Sequence, residues 1–397
     1  MVARLPKSAL LGYETELEEL ARAGRKRFLR TVAGSQRAHV ELDGRPVLLL
    51  CSNNYLGLAG HHRLRKAAAA AAEEDGCSSG ASRLISGTMT LHGILEEELA
   101  AFKKSPSCLV FNSGYVANLA ILTALVGKGD VIYSDALNHA SIVDGCRLSR
   151  AALRIYRHCD CAHLEELLRS GGQGAGRRLI VTDSVFSMDG DLAPLPEIVA
   201  LGRKYDALVV VDDAHATGVL GRNGRGSAEY FGLDWRDLDV QMGTLGKALG
   251  SYGAYITGAP VLRDYLLNRA RSFIYTTALP PAVLAASRAA LTVLRDEPQR
   301  LEKLRQLGRF FREELRKLGF RVADDPTPIV PVLVGPAAKT MELSAWFLEK
   351  GVFIQGIRPP TVPEGASRLR VTLSADLEFA DLDRVLALFA ERRRDFI

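Results

Sequence analysis

Five short runs of nearly continuous apolar residues, spaced by helix-length segments, constrain this chain more than any other feature. They are Cys108-Leu-Val-Phe111, Val131-Ile-Tyr133, Leu179-Ile-Val-Thr182, Leu208-Val-Val-Val211 and Val240-Gln-Met242. A strand with one wet face alternates apolar and polar residues, whereas a strand covered by helices on both faces does not. The pattern predicts an α/β domain with a mostly parallel sheet over residues 49–287. Residues 1–48 read as an N-terminal arm, helical-looking from Tyr13 to Arg30 and hairpin-like at Asp43-Gly44. After Pro280-Pro281 come a charged amphipathic stretch (about 288–318), strands at 329–334 and 368–373, and a last helix near 376–393. This predicts a smaller α+β C-terminal domain over 288–397.

The 397 residues are 47% hydrophobic and 24% charged, which excludes a disordered or collagen-like chain. The charge balance, 51 − 46 = +5, is too small to argue for nucleic acid, and no basic stripe with interleaved aromatics appears. No stretch approaches the ~18 apolar residues of a membrane span, and the first residues lack a signal-peptide core. A soluble, cytoplasmic protein is expected. The six cysteines are scattered, with no CxxC pair, and read as free thiols. His158-Cys-Asp-Cys-Ala-His163 packs four potential ligands into six residues, but a zinc site usually closes with a second, distant pair. No metal is expected.

The chemistry concentrates at strand ends, where sites on such sheets collect. Asp212 and His215 follow the Val209-Val-Val211 run, and Lys247 sits among small residues in Gly243-Thr-Leu-Gly-Lys247. Asn112-Ser-Gly114-Tyr115 marks a strand giving way to a helix, whose free N–H groups suit a phosphate. His139 follows the Val131 strand. A strand-end carboxylate, a histidine three residues on, a lysine and a Ser-Gly-aromatic turn match what pyridoxal phosphate requires. Its aldehyde needs a lysine for a Schiff base, and its ring nitrogen needs a carboxylate to stay protonated.

The chain resembles the α-oxoamine synthases, fold-type-I pyridoxal-phosphate enzymes, from about Arg22 to Phe389. The segments that carry the resemblance are Asn53-Asn-Tyr-Leu-Gly-Leu58, Gly80-Ala-Ser-Arg-Leu-Ile-Ser-Gly87, Phe111-Asn-Ser-Gly-Tyr-Val-Ala-Asn118, Ser184-Val-Phe-Ser-Met-Asp-Gly-Asp191, Asp212-Asp-Ala-His-Ala-Thr-Gly218 and Gly243-Thr-Leu-Gly-Lys247. It implies that Lys247 holds the cofactor, Asp212 pairs with its ring nitrogen, His139 stacks on the ring and His215 bonds its phenolic oxygen. Gly114, Tyr115, Ser187 and Thr244 would hold the cofactor, chiefly its phosphate. Arg370 would take the substrate carboxylate, and Arg27 and Thr361 would touch the acyl substrate. Tyr275-Thr276-Thr277 resembles a segment that reaches a neighbouring subunit's phosphate, which implies a homodimer.

Ile357-Arg-Pro-Pro-Thr-Val-Pro363 and Arg368-Leu-Arg-Val-Thr-Leu373 look like the members that condense L-alanine with a pimeloyl thioester, pimeloyl-CoA or pimeloyl-ACP, for biotin. Relatives acting on glycine or serine share the cofactor motifs, and some non-catalytic partners lack the lysine. Two departures stand out. Ala216 replaces a common glycine, and Cys77-Ser78 lie where a more glycine-rich run is frequent.

Overall fold

The computed structural model describes residues 8–171 and 176–396. Its centre is a seven-stranded sheet in the order Ser107–Phe111, Ala254–Gly258, Val240–Thr244, Leu208–Asp212, Arg178–Asp183, Val131–Asp135, Ala152–Tyr156. The last five of these are parallel, while Ala254–Gly258 runs antiparallel to both its neighbours. Two of the seven, Ala152–Tyr156 and Ala254–Gly258, carry no long apolar run. The first is an edge strand with a largely wet surface, so its sequence lacks the signature of a covered one.

The continuous apolar runs have the predicted cause. Val209 and Val211 pack on one side of the sheet with Leu164, Ile180 and Ile198. Val210 packs on the other with Ile121, Leu122 and Met242. All three valines are at most 3% exposed, and burying each contributes roughly 1.5–3 kcal/mol.

The first helix spans Ser8–Arg22, ending well before Arg30. The hairpin at Asp43-Gly44 joins His39–Leu42 to Arg45–Leu49, with both turn residues at positive φ. Arg45–Leu49 also pairs in parallel with Val352–Phe353, so the arm's hairpin is stitched to the C-terminal part of the chain. The charged stretch after Pro280 is two helices, Pro281–Asp296 and Gln299–Lys317. Pro298 separates them, since proline cannot supply the N–H that a helix interior needs. The first of these runs across residue 287 and packs on His62–Asp75 and Thr90–Lys103. The proposed division into 1–48, 49–287 and 288–397 therefore crosses a continuous helix at its second junction. Beyond it, Ile329–Gly335, Ser367–Thr372 and Gln355–Ile357 form a three-stranded antiparallel sheet, followed by the helix Phe379–Glu391.

The parallel strands share one carboxyl edge. Ser107–Phe111 has the same direction, because it lies two antiparallel steps from Val240–Thr244. The loops after Phe111, Asp135, Asp183, Asp212 and Thr244 consequently open on one side. The small three-stranded sheet closes over that side, with Arg370 Nε donating to Ser187 O at 2.5 Å.

Candidate active site

At this carboxyl edge lies a cavity of about 850 Å³ lined by Asn53, His139, Ser187, His215, Lys247, Thr361, Arg368 and Arg370, among others. It is where the strand ends converge.

Lys247 follows the strand Val240–Thr244, and its Nζ lies 2.8 Å from His215 Nε2. Burial pulls the amine down to about 8, against the opposing pull of Asp212 and Asp183. A lysine poised there is a nucleophile near neutral pH. Capture of a small aldehyde by Lys247 should therefore quicken about tenfold per pH unit up to about pH 8 and then level off. Stopped-flow absorbance measures this, and a rate still climbing at pH 10 would indicate an ordinary surface lysine.

Asp212 ends its strand 5% exposed. Its Oδ2 accepts from Asn118 Nδ2 and its Oδ1 from the Ala214 N–H, both at 2.8 Å. Burial raises its pKa, while Lys247, Asn118, Ala214 and His139 oppose the rise. Asp183 sits on the neighbouring strand in register with Asp212 and accepts the His139 N–H at 2.7 Å. Burial and the Asp212 charge push Asp183 well above the usual carboxylate range. Two buried carboxylates with so little cationic compensation call for a positive partner.

His139 caps the helix Ala140–Ser149. Its Nδ1 accepts the Ser141 N–H at 3.2 Å and lies 2.8 Å from Ser141 Oγ, which also accepts from Asn118 Nδ2 at 2.9 Å. With Nδ1 an acceptor, the ring is neutral and its proton is on Nε2. Burial lowers its pKa in keeping with this. Ser113 caps the helix Gly114–Leu125, accepting from Val116 N at 3.3 Å, so free N–H groups face this edge.

Of the other sequence-derived residues, Thr361 lines the cavity rim, and Thr244 Oγ1 donates to Gly253 O at 3.0 Å. The Tyr115 phenol donates to Asp144. Asn112 Nδ2 donates to Thr277 O at 2.7 Å and reaches Thr276 Oγ1 at 3.4 Å, placing both threonines beside their own chain's helix start. Arg27 lies exposed after the first helix, outside the residues that line the cavity.

Sequence reasoning passed over Asn118, Asp183, Asn53 and Arg368. Asn118 is buried one helical turn into Gly114–Leu125, a spacing that could have flagged it as facing the sheet. Arg368 pairs with Asp189 across the cavity, and nothing local in the sequence marks that long-range contact. Ala216 is fully buried core.

The His158 cluster resolves into a clip. His158 Nδ1 lies 2.9 Å from Asp135 and its Nε2 lies 2.7 Å from Asp191, while the ring packs edge-on against Phe186. Although burial opposes it, the two carboxylates push His158 up to about 12, so it is an imidazolium. It ties the His139 loop to the Ser187 loop. Asp135, His158 and Cys159 stand close enough to hold a metal, but both ring nitrogens are already engaged. His163 is not in the group, its Nδ1 accepting from Arg157 N. Gly190 in the same loop has φ +77°, and a Cβ there would sit 2.7 Å from Ile329 O, so no other residue fits. His158→Ala should lose about 2 kcal/mol in urea unfolding, allowing for its partial exposure. Because the folded pKa is raised, the deficit is full below pH ~6.5 and fades as pH climbs towards 12.

Residues 45–389 match the family model for aminotransferase class I and II. An 8-amino-7-oxononanoate synthase of Geobacter sulfurreducens is 58% identical over 378 residues, covering 94% of this chain and 96% of that one. The chain belongs to the class I and II aminotransferases. Within them it is an α-oxoamine synthase, with the fold-type-I transferase architecture and pyridoxal phosphate as cofactor. A serine palmitoyltransferase structure with PLP superposes with a TM-score of 0.91 at 30% identity over 99% of each chain. An 8-amino-7-oxononanoate synthase from Francisella tularensis gives 0.76 at 30% identity, over 88% of this chain and 98% of that one.

The residues present fit the cofactor. A depressed lysine, a strand-end carboxylate short of cationic compensation, a neutral histidine and a capped helix start are the donor set that an aldehyde, a pyridinium and a phosphate need.

Proposed function

We propose that this enzyme condenses L-alanine with a pimeloyl thioester, releasing carbon dioxide and the free thiol and yielding 8-amino-7-oxononanoate for biotin formation. One observation carries the reading. The Lys247 amine, Thr361 of the Arg-Pro-Pro-Thr segment and Arg370 all line one cavity, in a chain 58% identical to an 8-amino-7-oxononanoate synthase.

Pyridoxal phosphate, when bound, supplies an electron sink for the charge left as bonds to the amino acid's Cα break. Lys247 would hold it, with Gly114, Tyr115, Ser187 and Thr244 around it, chiefly at its phosphate, and Thr276 and Thr277 would reach the phosphate held by a neighbouring subunit. Asp212, kept in place by Asn118 and the Ala214 N–H, holds a proton at the ring nitrogen. Arg370 takes the amino acid's carboxylate through its planar guanidinium, a task lysine performs less well. Lys247 Nζ would be the base that takes the Cα proton and later returns one to the product. His139, with its proton on Nε2, would lie against the cofactor and give that proton to the carbonyl oxygen during loss of carbon dioxide. His215 would hydrogen-bond the phenolic oxygen of the bound cofactor. Thr361, on the cavity rim, contacts the acyl chain.

We further propose a cytoplasmic homodimer with shared active sites. Exposed Ile85 and Tyr275, beside Thr276, support an interface here, because a monomer seldom leaves such apolar clusters wet. The free state of all six cysteines supports the location. No helix among the described residues is long and apolar enough to cross a membrane.

The test is thiol release by the cofactor-loaded enzyme given L-alanine, glycine or L-serine with pimeloyl-CoA or pimeloyl-ACP. The expected result is turnover with alanine and a pimeloyl donor. Turnover confined to glycine or serine would keep the family and move the substrate.

A further inference from the structure

Behind Lys247 and His215 a polar chain continues through two groups, Tyr55 and Asn53, that the reaction above leaves unused. His215 Nδ1 lies 2.6 Å from Tyr55 Oη, and Tyr55 Oη lies 3.2 Å from Asn53 Oδ1. Tyr55 is completely buried and His215 is 6% exposed. The tyrosine backbone is tied to both parts of the fold: its N–H donates to Asn53 O at 2.9 Å, and its carbonyl accepts from Ala375 N at 2.8 Å.

The ends of this chain determine its middle. At neutral pH Lys247 is mainly an ammonium, which can only donate. Asn53 Oδ1 can only accept, and its orientation is supported by Arg370 Nη2 donating to it at 3.4 Å. One arrangement of protons satisfies every contact. Nζ–H donates to Nε2, Nδ1–H donates to Oη, and Oη–H donates to Oδ1. Burial, helped by Lys247, Arg370 and His139, holds His215 well below its ordinary pKa, so it carries one proton and not two. Burial likewise keeps the Tyr55 phenol protonated.

We propose that Tyr55 is a positioning residue that supports, at Nδ1, whichever tautomer of His215 the group at Nε2 requires. In the cofactor-free chain it accepts from Nδ1–H, leaving Nε2 as the acceptor for Lys247. Resting on the functional reading above, His215 must instead donate from Nε2 to a phenolic oxygen once Lys247 is engaged. The Tyr55 hydroxyl then turns from Asn53 to donate to Nδ1. One proton leaves Nδ1 for water and one arrives at Nε2 from water, with no net change. A phenol does both jobs because it donates and accepts through one atom; phenylalanine does neither.

Nitrogen-15 histidine NMR of the cofactor-free chain, with visible titration of pyridoxal phosphate, tests this. Wild type should show His215 protonated on Nδ1. Tyr55→Phe should keep Nδ1 protonated in the cofactor-free chain, since Lys247 still donates to Nε2, but bind the cofactor about tenfold more weakly and change the ratio of its visible to near-ultraviolet bands. Asn53→Ala, which leaves the phenol only His215 to donate to, should move the proton to Nε2 of the cofactor-free chain above about pH 8, where the Lys247 amine can accept its hydrogen bond. This second variant decides the matter if Tyr55→Phe does not fold. A Tyr55→Phe chain with the wild-type affinity and spectrum, or an Asn53→Ala chain still protonated on Nδ1 well above pH 8, would overturn the assignment. A wild-type chain that took up no cofactor would defeat the functional reading instead, and would leave the cofactor-free tautomer measurement standing.

Discussion

Replacing Lys247 with alanine should abolish turnover, by about 10⁴-fold or more, while the chain stays folded. The side chain has two duties in one place: it is the nucleophile that holds the cofactor and the base that moves the Cα proton, and a positioned base alone is worth about 10²–10⁴. Alanine leaves His215 Nε2 without the partner now 2.8 Å away, a loss of one hydrogen bond and about 1 kcal/mol of stability. The measurement is thiol release with L-alanine and pimeloyl-CoA, alongside thermal unfolding and the visible spectrum. Normal catalysis by this variant would sink the mechanism; loss of activity through unfolding would show as a collapsed transition.

Asp212→Asn should lower kcat by about 10³-fold and leave the fold intact. A carboxylate near 4 Å from a ring cation at an effective dielectric of 20 is worth roughly 4 kcal/mol, which is three decades in rate. Asparagine keeps the volume, but its NH₂ must face either Asn118 Nδ2 or the Ala214 N–H, both of which donate to Asp212 now. It also relieves the like charge beside Asp183, so folding stability should hold steady or rise slightly. Kinetics with urea unfolding separate the two effects. An Asp212→Asn enzyme within a few-fold of wild type would remove the carboxylate from its assigned duty at the ring nitrogen.

Both variants change residues that the sequence could foresee. Lys247 and Asp212 are both at ends of apolar runs, and a charged group at the end of a covered strand is costly unless something answers it. That physical tension is visible in one dimension. Asn118, Asp183 and Tyr55 are different. Each is an ordinary residue inside a helix, strand or turn, and its importance comes only from which group it meets. Asn118 meets Asp212 across 94 positions, and Tyr55 meets His215 across 160. No local pattern encodes such a pairing. The His158 cluster makes the same point from the other side. Its spacing invites a ligand reading, yet its partners, Asp135 and Asp191, are 23 residues before and 33 after it.

By itself the sequence determined the layered sheet, the edge on which chemistry gathers, and the residue types that a pyridoxal-phosphate site needs. It could do so because side-chain burial on both faces and strand-end polarity follow from local periodicity. Only the tertiary structure decided that Pro281–Asp296 crosses the expected junction, that the arm's hairpin pairs with Val352–Phe353, and how the protons are laid out from Lys247 through His215 and Tyr55 to Asn53. Those are relations between distant segments, set by close packing and by the requirement that every buried donor and acceptor find a partner.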